Sequence, residues 1–167
     1  MNTEDIDHKI DLYNILLSLS RNIFFYKKIG LSDTFETRIY LMFIHFSILM
    51  IINKKKGKKF NQVLYDNLFH KIENNLRELG FGDVSVNKKM KEFNKILYDI
   101  LLKINLENNQ IEKFTLNHKV IFKYFNELDT PKNPKYIELS LYFSNFFNYC
   151  FELSLNNMLK MVLKFKN

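Results

Sequence analysis

The four histidines are the side chains best suited to metal binding or acid–base chemistry, and they are scattered along the chain. His8, His45, His70 and His118 lie far apart, and none has a glutamate three residues before it. The Glu-x-x-His spacing of di-metal helix bundles is therefore absent. The sequence also lacks a glycine-rich phosphate loop, a serine elbow and an H-E-x-x-H motif. Because no nucleophile–base pair emerges either, we expect no metal, no cofactor and no enzymatic activity.

His45 nevertheless has an unusual setting, because it shares a predicted helical face with apolar residues only: Leu41, Met42, Ile48, Leu49 and Ile52. Such a position suits a core histidine with one hydrogen-bond partner. It also suits a group that titrates or contacts a bound protein. His118 lies on a similar apolar face, and there we expect a core histidine.

Clustered lysines could bind anions. Five of them fall within six residues: Lys54, Lys55, Lys56, Lys58 and Lys59. They form either a solvated loop or a contact for phosphate or anionic lipid headgroups. A second group follows at the start of a predicted helix: Lys88, Lys89, Lys91 and Lys95. Cations oppose the helix dipole at that end, so a bound anion would relieve a cost. No zinc-finger spacing or RNA-binding signature occurs, so we expect no sequence-specific nucleic-acid binding.

The segment 75–86 predicts a tight corner between two helices. Gly80 and Gly82 bracket Phe81, and three charged side chains surround it: Arg77, Glu78 and Asp83. From the residues alone, this is a rigid corner with an ion pair.

Apolar residues recur with helical spacing along nearly the whole chain, and no segment alternates like a strand. This pattern predicts an all-α fold, a single domain over residues 1–167 with about six helices. The first apolar face is Leu12, Ile15, Leu16, Leu19 and Ile23. We expect Gly30 to end that helix and Asp33 with Glu36 to cap the second. Gly80 should end the third with a Schellman motif that pairs Leu76 with Phe81, and Ser85 should cap the fourth.

The C-terminal third is predicted from periodicity alone. The fifth helix carries Ile111, Phe114, His118, Ile121, Phe122 and Phe125. Asn133 and Pro134 match the N-cap and first position of a last helix that runs to about Lys164, bent near Ser154. That helix is apolar almost all round, which is typical of the buried central rod of a bundle. Alternatively, part of it is exposed and recognises a hydrophobic partner: Phe143, Phe147, Tyr149 and Phe151.

Length and composition limit the remaining possibilities. The chain has 167 residues, of which 47% are hydrophobic, and it contains no alanine. Cys150 is the only cysteine, so no intrachain disulfide can form. The net charge is +7; residues 1–20 carry −3 and residues 21–59 carry +7. The acidic start argues against a transit peptide or a secretory signal. The longest apolar run, 41–52, is too short to span a bilayer, so we expect a buried helix.

Three segments of the sequence resemble the ubiquinol–cytochrome c chaperone family, the assembly factors of respiratory complex III. They are SRNIFFY at 20–26, GLSDTFETRIYLMFIH at 30–45 and NLRELGFGDVSVNKKMK at 75–91. Their order and spacing are those of the family. Thr37 and Leu79 stand where the family often has glycine and methionine, and no family motif is found beyond about Asn108.

The resemblance implies a non-enzymatic helical chaperone that holds newly made cytochrome b. It implies as further partners the ribosome near its tunnel exit, an anionic membrane surface and a small partner subunit. Its binding residues would be Asp33, Arg38, His45, Arg77, Glu78, Gly80, Gly82 and Asp83, with a basic patch of Lys54, Lys55, Lys56, Lys58, Lys59, Lys88 and Lys89. We expect Arg38 or Arg77 to form a partly buried pair with Glu78 or Asp83.

The charge of the first residues also bears on localisation. The acidic start favours the bacterial cytoplasm, with peripheral attachment at the inner membrane, and no signal peptide or transmembrane helix is expected. The alternative to a dedicated chaperone is a basic, ribosome- or RNA-associated helical adaptor without a specific client.

Overall fold

Helices account for the regular secondary structure wherever the chain is described. The computed structural model describes residues 11–108, 114–128 and 134–167. Seven α-helices lie in these residues, and no strand does. They are α1 (Leu12–Ser20), α2 (Phe35–Lys55), α3 (Gln62–Glu78), α4 (Asp83–Asn108), α5 (His118–Tyr124), α6 (Pro134–Glu152) and α7 (Leu155–Met161). A π-helical turn spans Phe24–Lys28, and 3₁₀ turns span Asn126–Leu128 and Val162–Lys164. The all-α prediction is confirmed.

Helix α2 is the central element of the bundle. Every residue from Leu41 to Leu49 is buried, and the helix packs against α1, α4 and α6. A helix that is apolar all round gains most when neighbours surround it, which explains this position. The prediction that the last helix is the central rod is therefore wrong. Its first half, α6, buries Phe143 and Phe147 but leaves Ile137 and Leu141 exposed.

By length and composition, α2 is also the one described helix that could cross a membrane. In the structure, 72% of its most apolar 18-residue window is buried inside the protein. The core helix of a folded domain has the same length and apolar composition.

The first predicted helix is shorter than its apolar pattern suggests. The Ser20 hydroxyl donates to the carbonyl oxygen of Leu17 at 2.7 Å, and the Asn22 side-chain oxygen accepts from the backbone N–H of Phe24 at 3.0 Å. Because these side-chain hydrogen bonds compete with the backbone hydrogen bonds that would continue the helix, α1 ends at Ser20. Ile23, expected on the buried face, is exposed. Gly30 has a φ of +85°, but it follows the π-helical turn and not α1.

Two helices end in the same glycine motif. At the end of α3, Gly80 has a φ of +95°. Its N–H donates to the Arg77 carbonyl at 3.0 Å, and the Phe81 N–H donates to the Leu76 carbonyl at 3.2 Å. These are the two bonds of a Schellman motif, as predicted. Gly57, with a φ of +75°, ends α2 in the same way.

Two predicted N-caps are wrong. Thr34, and not Asp33, caps α2, because its hydroxyl accepts from the Thr37 N–H at 3.1 Å. Helix α4 begins at Asp83, before the expected cap Ser85, and the Gly82 carbonyl accepts from the Val86 N–H at 2.9 Å.

The C-terminal third follows the predicted pattern in part. Pro134 is the first residue of α6, while Asn133 and Ile111 lie outside the described residues. The expected bend near Ser154 is a break between α6 and α7, which raises the number of helices in the described ranges to seven. His118 is the first residue of α5 and is exposed, so its predicted core position is wrong.

Candidate functional site

Residues from all three family-like segments meet at one cleft, although the third segment lies well beyond the first two in the sequence. Arg21 comes from the first segment, Asp33 and Arg38 from the second, and Leu79 from the third. The cleft has a volume of about 320 Å³. We call it the motif cleft, and its full lining is Tyr13, Leu17, Arg21, Asp33, Thr34, Phe35, Arg38, Ile39, Met42, Asn75 and Leu79. Packing of α1 and α3 against each other and of α1 against α2 brings these side chains together.

An ion pair organises the polar side of the motif cleft. The Arg38 Nε donates to Asp33 Oδ1 at 2.9 Å, and the guanidinium NH2 lies 2.7 Å from the same oxygen. The hydrogen bond to Asp33 raises the pKa of Arg38 above its ordinary value. Asp33 is free to make this pair because Thr34 has taken over the capping of α2.

A second polar contact fixes the opposite wall of the cleft. The Asn75 side-chain amide donates to the Tyr13 hydroxyl at 2.6 Å and so joins α3 to α1. The Tyr26 hydroxyl, which does not line the cleft itself, donates to the Ser20 carbonyl at 2.6 Å. The motif cleft is therefore held in shape by hydrogen bonds within the protein.

Arg77 and Asp83 form a separate pair at the corner between α3 and α4. Arg77 also contacts Glu73, with NH2 to Oε1 at 3.0 Å. The pairing of Arg77 with Asp83 is as expected, but both side chains are exposed, so the expected partial burial is wrong. Among the described residues, Glu78 joins no ion pair, and Arg38 pairs with Asp33. The four residues among which a pair was expected, Arg38, Arg77, Glu78 and Asp83, thus divide between the cleft and the corner.

An exposed apolar surface surrounds the two corner glycines. Leu79 is 56% exposed, Phe81 is 38% exposed and Val84 is 84% exposed. We call these three residues the apolar corner. Leu79 also lines the motif cleft, so the corner and the cleft form one continuous surface. Sequence reasoning did not identify these three side chains as exposed. The signal was present in the two glycines, which hold apolar residues in a short corner where few neighbours can cover them.

The side chains of the five-lysine cluster do not all lie on one surface. Lys54, Lys58 and Lys59 are exposed and line a pocket. Lys56 turns inward: its Nζ donates to the Leu153 carbonyl at 2.6 Å and lies 5.1 Å from the ring centre of Phe151. Lys55 is exposed at the last turn of α2.

The second lysine group also differs from its prediction. Because α4 begins at Asp83, Lys88 lies beyond the first turn, and the expected conflict with the helix dipole is small. Lys88 is exposed, and the Lys89 Nζ lies 3.6 Å from Glu36 Oε1.

His45 is a core residue. Its Nδ1 lies 2.6 Å from the Leu41 carbonyl oxygen, and its Nε2 lies 3.0 Å from the Tyr142 hydroxyl. The imidazole is fully buried and packs against the rings of Phe143 and Phe146. Burial lowers its pKa to about 4, so the ring is neutral at pH 7. In this structure a bound protein cannot reach it.

No group of three His, Cys, Asp or Glu side chains that could hold a metal ion occurs in the ranges that the structure describes. The site is thus a surface of apolar and charged side chains.

Comparison with known proteins identifies both a family and a fold. The sequence pattern of the family described as ubiquinol-cytochrome C chaperone matches residues 27–120, more than half of the chain. The crystal structure of the Cbp3 homolog from Brucella abortus superposes with a TM-score of 0.64 at 21% sequence identity. The match covers 89% of this chain and 83% of that one. At this identity the likeness establishes the fold alone. No curated protein matches the sequence significantly.

Proposed function

Since the chain belongs to the ubiquinol-cytochrome C chaperone family, a family of complex III assembly, we propose that its client is newly made cytochrome b. The chain acts without enzymatic chemistry. It holds an apolar segment of the client on the surface formed by the motif cleft and the apolar corner, and it releases that segment as assembly of the complex proceeds.

The observation that carries this proposal is the convergence of the three family-like segments on one surface. Three exposed apolar side chains next to a charged cleft suit a client that is itself apolar with polar connections. The pairs Asp33–Arg38 and Arg77–Asp83 fix the polar rim of that surface.

The size of the chain sets how much of the client it can cover. A standard protein–protein interface buries ~800 Å² on each partner. Cytochrome b has many apolar helices, so this chain shields one part of it and leaves the rest to other factors. We propose that the chain does so as a single helical domain in the bacterial cytoplasm, near the inner membrane where the client inserts.

The ribosome near its tunnel exit and a small partner subunit are further proposed partners. The net charge of +7 favours a ribosome contact, because the surface of ribosomal RNA is strongly anionic. The same charge supports the alternative function, a basic ribosome- or RNA-associated adaptor that has no dedicated client.

Crosslinking and pull-down of the tagged protein from growing cells separates these two functions. The first predicts cytochrome b peptides among the captured species and low complex III levels when the protein is deleted. The alternative predicts ribosomal proteins alone and normal complex III levels.

A matched pair of variants tests the proposed surface. Leu79→Asp places a charge in the apolar corner. Val63→Asp places the same charge at the start of α3, on a side chain that is 51% exposed, compared with 56% for Leu79. We expect Leu79→Asp to lose capture of cytochrome b and Val63→Asp to keep it. Equal capture by both variants would place the client elsewhere.

A further inference from the structure

A second pocket opens beside the loop between α2 and α3, away from the motif cleft. It has a volume of about 450 Å³, within the range of ~300–1,000 Å³ that small-ligand pockets occupy. Four apolar side chains form its walls: Met50, Ile51, Phe60 and Leu101. Phe60 is held by an edge-to-face contact with Phe46, at 5.2 Å between ring centres.

Positive charge lies at the mouth of this pocket. Lys54, Lys58 and Lys59 line it, and no acidic residue does. All three lysines are exposed. Within the described part of the chain, their ammonium groups enter none of the ion pairs. The pocket is thus an apolar space with an unneutralised cationic rim.

The loop after α2, which carries Lys58 and Lys59, is fixed in place. The Gly57 N–H donates to the Lys54 carbonyl at 3.0 Å, and the Lys58 N–H donates to the Asn53 carbonyl at 2.9 Å. Lys56 anchors the loop to the α6–α7 junction through the Leu153 carbonyl. The rim charges therefore originate from an ordered turn beside the pocket.

An apolar space under a cationic rim matches a ligand with an apolar tail and an anionic head. A nucleic acid would pair with the lysines but would leave the apolar walls without a partner. We propose that this pocket binds an anionic phospholipid of a membrane surface. Lys54, Lys58 and Lys59 contact the phosphate headgroup, and an acyl chain enters between Phe60 and Leu101. This proposal goes beyond the chaperone function and does not depend on the identity of the client.

Phosphatidylcholine vesicles with and without phosphatidylglycerol provide the first test, measured by co-flotation of the full chain. We expect binding only when phosphatidylglycerol is present, with a decrease at high salt as the charges are screened. The variant with Lys54, Lys58 and Lys59 all changed to Gln should lose binding on the order of 100-fold. Equal binding to both kinds of vesicle would overturn the proposal.

A charge-matched control separates the pocket from net charge. Changing Lys119, Lys160 and Lys164 to Gln removes the same charge from exposed positions that do not line the pocket, and this variant should bind vesicles nearly as well as the wild type. Equal losses in the two triple variants would overturn the proposal. The proposal would also be overturned if the chain did not bind vesicles but bound polyuridylate through Lys54, Lys58 and Lys59.

Fluorescence tests whether the acyl chain enters. The sequence has no tryptophan, so Phe60→Trp gives a single tryptophan, located in the pocket wall, whose emission can be followed selectively. We expect its emission to be quenched by phosphatidylglycerol with brominated acyl chains and not by the unbrominated lipid. Co-flotation without quenching would mean that only headgroups bind, and it would contradict the pocket.

Discussion

Acid should destabilise this protein through His45. The Leu41 carbonyl oxygen can only accept a hydrogen bond, so the proton of the neutral imidazole lies on Nδ1, at 2.6 Å. The other nitrogen, Nε2, then accepts from the Tyr142 hydroxyl at 3.0 Å. Protonation would place a charge among aromatic rings and remove that acceptor. Burial therefore lowers the pKa of His45 to about 4.

The size of the effect follows from the difference in pKa between the two states. In the unfolded chain the imidazole recovers its ordinary pKa of 6.5. Between pH 6.5 and about 4 the unfolded state binds more protons, so stability falls as the pH falls. Each tenfold change in proton affinity is worth about 1.4 kcal/mol. The contribution is fully present above pH 6.5, and about 3 kcal/mol of it is lost near pH 4.

Urea unfolding followed by far-UV circular dichroism, at a series of pH values from 7 to 4, measures this loss. The double variant His45→Leu with Tyr142→Phe removes the titrating group and its partner together. We expect a flatter pH dependence in this variant, whatever its absolute stability. Phe93→Leu changes a buried side chain that does not titrate, so this variant should keep the wild-type pH dependence even if it is less stable.

Equal pH dependence in the wild type and the double variant would refute the assignment. So would an NMR titration that places the pKa of His45 near 6.5.

Three further predictions test the corner, the packing of α5 and the motif cleft. Gly80→Val should destabilise the fold by about 1–3 kcal/mol, because a β-branched residue resists a φ of +95°. Gly82→Ser, at a position with open space and no positive φ, should change the urea midpoint little. Burial alone would raise the pKa of Asp99, but hydrogen bonds from two lysines and a tyrosine hold it at about 2. Asp99→Asn should therefore cost about 1–2 kcal/mol in urea unfolding at pH 7, and an unchanged midpoint would contradict this contact. Arg38→Gln breaks a half-exposed ion pair with Asp33, so it should cost less than about 1 kcal/mol of stability while lowering cytochrome b capture. Undiminished capture of cytochrome b by Arg38→Gln would show that the Asp33–Arg38 ion pair does not contribute to client binding.

Local signals in the sequence predicted much of the helical fold. Helical spacing in the sequence predicts one apolar face of α4, made of Val86, Met90, Phe93, Leu97, Ile100, Leu101 and Ile104. Five of these are buried, and Met90 and Leu101 are partly buried. The Schellman motif at Gly80 was predictable because glycine position and apolar spacing act within a few residues. The break after α1 was not predictable, because Ile23 continued the apolar pattern while the side chains of Ser20 and Asn22 ended the helix.

The features that could not be predicted from the sequence depend on packing between residues far apart in the chain. Two helices were apolar enough to be the central rod, and only the assembled bundle places α2 there. For the same reason, the meeting of Arg21, Asp33 and Leu79 at one cleft could not be derived from their spacing. The lysine cluster showed the same limit, since the inward turn of Lys56 depends on a carbonyl almost a hundred residues away.

Site-specific photocrosslinking in growing cells tests the proposed client surface most directly. A benzophenone amino acid in place of Leu79 lies in the apolar corner, and the same residue in place of Val63 lies ~24 Å away along α3. Both positions are similarly exposed. We predict a crosslink to cytochrome b from position 79 and none from position 63. Crosslinks from both positions, or from neither while pull-down still captures cytochrome b, would contradict the assignment of this surface.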